Sequence, residues 1–366
     1  VNTAPGSGHL TLSTPGRVCL FGEHQDYLGL PVIPAAISLR IVMEGSYRDD
    51  REAVLHLPDI AAEERFSLEG ELPYRVERDY LRSAVNILRR EGYTFSRGVE
   101  CTVRGKIPIN SGTSSSSALV VTWINFLARM SDQRRALPAM ELALLAHRAE
   151  VLEFGEPGGM MDHFSTAFGG ILAIDFQPVL RVEALPARLG TFVLGDSCEP
   201  KDTKAILARV KQGVLRIAAK LARQDPTFSL DAAAAGSLDP LMRELTAEEG
   251  ELLAGTLRNR DLTRQARLLL SHPSIDHRLL GALLNDHQEV LRSILKISTP
   301  KIDRMIAAAL ASGAYGGKIN GSGGGGCMFV YAPEDPAAAA MAVEREGGRA
   351  YIVTPDAGTR RVGEEG

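Results

Sequence analysis

The sequence predicts an α+β fold divided into two domains. Three observations carry that expectation. The chain has 366 residues, more than one hydrophobic core usually organises. In its first half a strand-like segment, Val99–Val103, leads through a serine-rich loop at 107–118 into an apolar, helix-like run, Leu119–Leu127. Near its end, residues 314–354 read as strand, glycine-rich turn, strand, helix and strand, the pattern of an α+β layer. The domain boundary is placed between two strand-like runs, Ile171–Phe176 and Thr191–Gly195, giving domains at 1–184 and 185–366.

Taken in order, residues 1–8 read as a frayed end, and His9–Ser13 and Val18–Phe21 as two short strands. Strands follow at Leu39–Ser46 and Ala53–Leu57. Tyr80–Arg90 has helical spacing, with Leu81, Val85 and Leu88 inward and Arg82, Arg89 and Arg90 outward. A second long helix is expected from Leu137 to about Phe154. It carries Glu150 and Glu153 near its C-terminal end, where the helix dipole disfavours negative charge and a cation would relieve it. Glu153 is read as an exposed surface carboxylate. The second half is mostly helical: Thr203–Arg223, Pro240–Arg258, Leu262–Leu270, His277–Leu295, Lys301–Ser312 and 336–346.

Composition narrows the function classes. Hydrophobic content of 45% with 23% charged residues is ordinary for a globular protein, and a net charge of −4 argues against a nucleic-acid binder. Cys19, Cys101, Cys198 and Cys327 form no CxxC pair, so free, mostly buried thiols in a reducing cytoplasm are expected. No secretory leader and no apolar run of about 18 residues is visible. The expected partners are therefore small molecules rather than nucleic acid or membrane, and the expected assembly is a monomer or a homodimer.

Several segments carry chemistry. The serine-rich loop places four serines and a threonine where a helix begins. The first helical turn has unpaired N–H groups and the positive end of the macrodipole, so a loop of small residues there makes an anion site. An ordinary N-cap needs only one such residue. Glu23, His24 and Asp26 directly follow the apolar run Val18–Phe21. Polar groups after a buried strand call for a partner, and a sugar rich in hydroxyls suits carboxylates and an imidazole; a solvated turn is the plain alternative. Asp162 follows the glycine-rich turn 155–159 at the start of a short helix, either as a cap or as a carboxylate shown to a cleft. Gly321, Gly323 and Gly326 match GxGxxG but run into the strand-like Cys327–Tyr331, so a dinucleotide site is not expected there.

Three of these segments, in this order, resemble the motifs of the GHMP kinase superfamily. Residues 16–27, GRVCLFGEHQDY, look like the galactokinase signature. Pro108–Ala118 and Gly316–Gly326 look like the second and third motifs, and Glu150 and 157–162 fall where the galactokinase pattern continues. The resemblance implies a two-domain GHMP kinase fold, with an N-terminal ribosomal-S5-domain-2-like domain, a C-terminal α+β domain and the active site in the cleft between them. It implies an ATP- and Mg²⁺-dependent kinase phosphorylating a hydroxyl, at the anomeric carbon, of galactose or a related monosaccharide. By the same resemblance, Asp162 and Arg17 are catalytic and Glu23, His24 and Asp26 bind the sugar. Ser111, Gly112, Thr113, Ser114, Ser115, Ser116 and Ser117 wrap the ATP phosphates, Ser116 and Glu150 hold Mg²⁺, and the loop of Gly321, Ser322, Gly323 and Gly324 closes the site. The alternatives are a kinase of inositol, another polyol or mevalonate, and an inactive sugar/ATP sensor. Cys19, Asn110, Thr113 and His163 depart from the galactokinase pattern. No aromatic residue lies in 196–211, where galactokinases place a sugar-contacting Tyr. Lys201 and Lys204 stand there instead; such a pair near the pocket would favour an acidic sugar, and the preferred reading is a surface feature of a helix start.

Overall fold

The computed structural model describes residues 8–201, 203–233 and 243–363, apart from the side chains of 203–205 and 207–208. The chain builds two sheets that carry the loops of the site. The first sheet contains β1 (His9–Phe21), β2 (Ile33–Arg48), β3 (Glu52–Leu57), β4 (Ala62–Ser67), β5 (Gly98–Gly105) and β12 (Arg360–Arg361), in the order β12-β1-β2-β5-β3-β4. Only β3 and β5 pair in parallel. The second contains β8 (Phe192–Asp196), β9 (Gly316–Ile319), β10 (Cys327–Tyr331) and β11 (Arg349–Val353), in the antiparallel order β11-β8-β10-β9. A short hairpin of β6 (Leu172–Asp175) and β7 (Arg181–Ala184) lies between them in sequence.

Over the first sheet pack α1 (Tyr80–Arg90), α2 (Ser115–Met130), α3 (Ala139–His147) and α4 (Met161–Phe168). Helix α2 is buried almost all round, as its apolar sequence requires, and Trp123 Nε1 donates to Leu81 O at 3.0 Å. The second sheet packs with α5 (Thr203–Gln224), α6 (Ala247–Leu270), α7 (His277–Glu289), α8 (Pro300–Ala311) and α9 (Pro336–Arg345). That second core also takes Val18, Leu20 and Phe21 from β1 and Ile33, Ala35 and Ile37 from β2. Among the described residues no helix is long and apolar enough to cross a membrane.

Several expectations change. His9–Phe21 is one strand, because the register shifts between Pro15 and Gly16 and a bulge accommodates the proline. The two helices expected at 240–258 and 262–270 are one, α6, starting after a capping box of Thr246 and Glu249; residues 240–242 lie outside the described part. Residues 259–261, Asn-Arg-Asp, contain no helix breaker, and their polarity reflects partners rather than a gap: Asn259 Nδ2 donates to Glu23 O at 2.9 Å. Arg82 is not outward but buried, paired with Asp79 at 3.0 Å. Glu153 is only partly exposed, its side chain 16% accessible, because it pairs with Arg90 at 2.8 Å and accepts from the Tyr74 hydroxyl. Helix α3 ends at His147 and continues as a wider π turn, Arg148–Leu152, which carries Glu150.

The last described residues return to the first half. Pro355 bridges Ile37, Ala357 bridges Gly169, and β12 pairs with β1. Gly169 makes this possible: a Cβ there would stand 1.8 Å from Gly358 N, and its φ is 76°. Gly169→Ala should therefore lift residues 355–361 from the sheet and cost about 1–3 kcal/mol. Urea denaturation measures the cost, and faster amide exchange confined to β12 and its partner residues in β1 would locate it.

Candidate active site

The serine-rich loop enters α2 through alternating backbone handedness. Asn110, Gly112 and Ser114 have φ of 58°, 87° and 61°. Such alternation turns successive N–H groups toward one concave side, an anion-binding nest at the mouth of a helix dipole. Asparagine tolerates the left-handed region better than most residues, which accounts for Asn110. Thr113 is fully buried and its hydroxyl donates to Pro108 O at 3.3 Å, so it closes the loop on itself.

Both other motifs grip this loop. Arg17 N donates to Thr113 O at 3.2 Å, and Cys327 N to Ser111 O at 2.8 Å. Asn320 accepts from Cys19 N at 2.8 Å and donates to Gly112 O at 2.8 Å. Gly112 and Gly321 meet back to back: a Cβ on Gly321 would stand 2.9 Å from Gly112 Cα. Beneath them, Lys318 Nζ, fully buried, donates to Glu23 Oε2 at 2.6 Å and to Cys19 O at 2.8 Å. Glu23 Oε1 accepts from Gly321 N at 2.9 Å.

A cavity of about 1020 Å³ opens over these loops. Arg17, Glu23, His24, Asp26, Ser111, Gly112, Ser114–Ser117, Glu150, Asp162, Gly321 and Ser322 all line it. Thr113, Gly323 and Gly324 stand behind the wall; Gly324 N donates to Ile297 O at 2.7 Å. Arg17 Nε and Nη2 reach Asp162 Oδ1 at 2.8 and 2.6 Å, and Nη1 donates to Gly112 O. Burial, the largest single influence, would raise the Asp162 pKa, but the Arg17 charge together with the Ser114 hydroxyl and the Arg17 hydrogen bond outweighs it and holds the carboxyl below its usual range. Asp162 is therefore an anion; it is not the cap of α4, whose N-cap residue, Met160, makes no side-chain cap bond.

The trio after β1 divides by role. Glu23 has each oxygen occupied within the protein. His24 donates from Nε2 to Ser322 O at 3.0 Å, so Nδ1 accepts from Tyr27 Oη at 2.7 Å. Burial lowers the His24 pKa to about 4, leaving a neutral ring. Asp26 is half-buried, with one backbone N–H on each oxygen: Tyr27 N at 2.9 Å and Met161 N at 3.4 Å. Burial and the neighbouring Asp162 charge push its pKa up to about 6.

Glu150, in the π turn, is buried and takes His163 Nε2–H at 2.8 Å on Oε2. Ser116 is exposed in the first turn of α2. No cluster of three His, Cys, Asp or Glu residues suited to a metal occurs among the described residues. Cys198 is exposed at the cavity wall, whereas Cys19, Cys101 and Cys327 are buried thiols.

Sequence reasoning missed Arg78, Tyr80, Glu156, Asp196 and Lys201, which also line the cavity. Arg78 forks onto Glu156 at 2.7 and 2.5 Å across its rim, a pairing 78 residues apart with no local signal. Asp196 accepts from Ser111 Oγ at 3.1 Å. Lys201, read as a surface residue, is half-buried inside the cavity, because the segment after β8 crosses the third-motif loop: Gly326 N donates to Glu199 O at 3.3 Å. The Lys204 side chain lies outside the described part.

Comparison with known proteins agrees with this geometry. Residues 79–170 match the model of the GHMP kinases N terminal domain, 266–348 that of the GHMP kinases C terminal, and 3–47 the galactokinase galactose-binding signature. The chain is 28% identical over 355 residues to the mevalonate kinase of Thermococcus gammatolerans, covering 93% of this chain and 94% of that one. It is also 28% identical over 346 residues to the galactokinase of Haemophilus influenzae, covering 89% and 86%. In structure it is similar to the Lactococcus lactis galactokinase complexed with galactose (TM-score 0.84, 20% identity, 96% and 95% covered). It is similar also to the Methanococcus jannaschii mevalonate kinase (TM-score 0.74, 20% identity, 96% and 100% covered). The chain belongs to the GHMP kinases, with their two-domain fold, and is a phosphotransferase with an alcohol group as acceptor. Within that family it is close to the galactokinase-like kinases, and ATP is the family's phosphoryl donor.

Two predictions test how the site is held. Lys318→Met leaves the Glu23 carboxylate buried without its cation and should cost about 3–5 kcal/mol. The double variant with Glu23→Gln should recover part of that loss in urea denaturation. Asp26 has its pKa raised from an ordinary 3.8 to about 6, so the folded chain holds this proton more tightly than the unfolded chain. Its ionisation therefore costs stability progressively from pH 3.8 to 6 and fully above that. Asp26→Asn should be more stable than the parent by about 1 kcal/mol at pH 7, after discounting for solvent at the cavity, and equal to it below pH 4. Denaturation curves across that range read the difference.

Proposed function

We propose that this protein transfers the γ-phosphoryl group of ATP to a sugar hydroxyl, the anomeric one of galactose or a related monosaccharide, in the cytoplasm. The observation that carries the reading is the Arg17–Asp162 pair, held between the serine-rich nest and the half-buried Asp26. Arg17 binds Asp162 and the loop carbonyl at once, so the acceptor side and the phosphate side share one anchor. The nest of 111–117 receives the phosphates through backbone N–H groups and the α2 dipole. Asp162 orients the attacking hydroxyl. Its low pKa fits a group that accepts a hydrogen bond throughout and takes the proton late, as a loose phosphoryl-transfer transition state allows. Arg17 balances the negative charge spread over the transferring group in the transition state. Asp26 keeps lone pairs free for acceptor hydroxyls, while Glu23 and His24 shape the floor beneath them.

The donor set also fits Mg²⁺. One carboxylate, Glu150, oriented by His163, and one exposed hydroxyl, Ser116, are what this ion takes when phosphates and water complete its shell. Bound there, it would neutralise phosphate charge and fix the phosphate geometry.

A second reading has an observation of its own. Similarity to mevalonate kinases extends over 93% of this chain and 94% of theirs, so a mevalonate-like hydroxy acid is the rival acceptor.

An ATP-consumption screen over galactose, other aldoses, uronic acids, amino sugars, inositols and mevalonate, with NMR of the product, decides between them. Turnover of an aldose to its 1-phosphate is the expected result; turnover of mevalonate alone would replace it. Asp162→Asn should reduce turnover at least about a hundredfold with nucleotide affinity within about threefold of the parent. Near-normal turnover in that variant would remove Asp162 from the chemistry.

A further inference from the structure

Among the described residues, the assigned site leaves one cation, Lys201, without a task. Arg17 is committed to Asp162 and to Gly112 O, and Lys318 is committed to Glu23 and Cys19 O. Lys201 is held differently. Its stem lies along the third-motif loop, where a Cβ on Gly326 would stand 2.7 Å from Lys201 Cδ. Its ammonium lies over the serine-rich loop, where a Cβ on Gly112 would stand 2.9 Å from Nζ. No hydrogen bond or ion pair to Nζ is found among the described residues. The groups whose charge it senses are Arg17, then Cys327, Glu23 and Asp162. Burial, then the Arg17 charge, lowers its pKa, so the ammonium is poorly compensated where it stands.

A half-buried cation with no partner among the described residues, resting on the centre of a nest, is arranged for an anionic oxygen that arrives with a ligand. Two sources are available: the terminal phosphate of the nucleotide or an acid group on the acceptor. Position favours the first, because Nζ lies against Gly112, the middle residue of the left-handed series in the phosphate loop. We propose that Lys201 is a further catalytic residue, binding the γ-phosphoryl group of ATP from the side opposite α2 while it passes from donor to acceptor. No bond is made to the lysine. Nζ–H donates to one of the three equatorial oxygens over which the transition-state charge is spread while the bond to the leaving diphosphate breaks and the bond to the acceptor oxygen forms, and so acts with Arg17.

This inference rests on the kinase reading above, and the test separates the two. ATP and ADP affinities are measured calorimetrically in MgCl₂, without acceptor, for the parent, Lys201→Met and Lys201→Arg, with melting temperatures as the folding check. The expected result is ATP affinity lowered roughly ten- to hundredfold in Lys201→Met with ADP affinity changed less than about threefold, and most of the loss restored in Lys201→Arg. Equal losses for ATP and ADP, or none, overturn the proposal. So does an unchanged ATP-to-ADP ratio with a raised KM for an acidic acceptor, which would assign Lys201 to the acceptor's carboxylate. Should Lys201→Met not fold, the same ratio in Lys201→Gln carries the decision. A parent chain that binds neither nucleotide overturns the kinase reading itself, whereas a parent that binds both with an indifferent Lys201 variant overturns only this inference.

Discussion

The site depends on one buried ion pair, Glu23 with Lys318. Two charges removed from water are costly unless their geometry and remaining hydrogen bonds are complete. Here they are: the lysine also donates to Cys19 O, and the carboxylate also accepts from Gly321 N. The pair contributes position more than stability. It ties the end of β1 to β9 and the turn after it, across 295 residues of sequence. Once those two segments are locked, Asn320 falls where it bridges Cys19 and Gly112, and the serine-rich loop has a single place to lie.

Charge within the cavity is arranged so that each group limits its neighbour. Arg17 keeps Asp162 ionised, and the Asp162 charge in turn helps to raise Asp26. Two carboxylates close together thus differ in proton affinity, one held below the usual carboxylate range and one raised to about 6. That division suits a site that must orient one hydroxyl and hold others. The neutral His24, locked between Tyr27 and Ser322, adds no charge to this balance.

The loop's departures from the galactokinase pattern find local reasons. Asn110 occupies a left-handed position that a residue with a large or branched side chain would strain, and Thr113 satisfies its hydroxyl within the loop. His163 reaches Glu150 and holds it toward the cavity. The absence of an aromatic in 196–211 leaves that wall to Glu199, Pro200 and Lys201, a more polar surface than a tyrosine would give.

The sequence by itself determined most elements and the family, because both are local. Helices at 80–90 and 300–311 follow from apolar spacing and caps, that at 203–224 from apolar spacing, and the three glycine- and serine-rich motifs are contiguous strings. It also placed Arg17, Asp26, Glu150, Asp162 and the loop serines in one cavity, since each stands in or beside such a string. What only the tertiary structure decided are the partnerships. Arg82 turns inward because its guanidinium lies 4.7 Å over the Phe66 ring, α6 runs through its polar stretch because Asn259 meets Glu23, and β12 returns because Gly169 lets backbone touch backbone. Glu23 and Lys201 make the contrast sharpest. A carboxylate expected to meet ligand is neutralised inside the protein, and a lysine expected at the surface faces the site. Which charge is compensated depends on groups hundreds of residues away, and spacing along the chain carries no record of them.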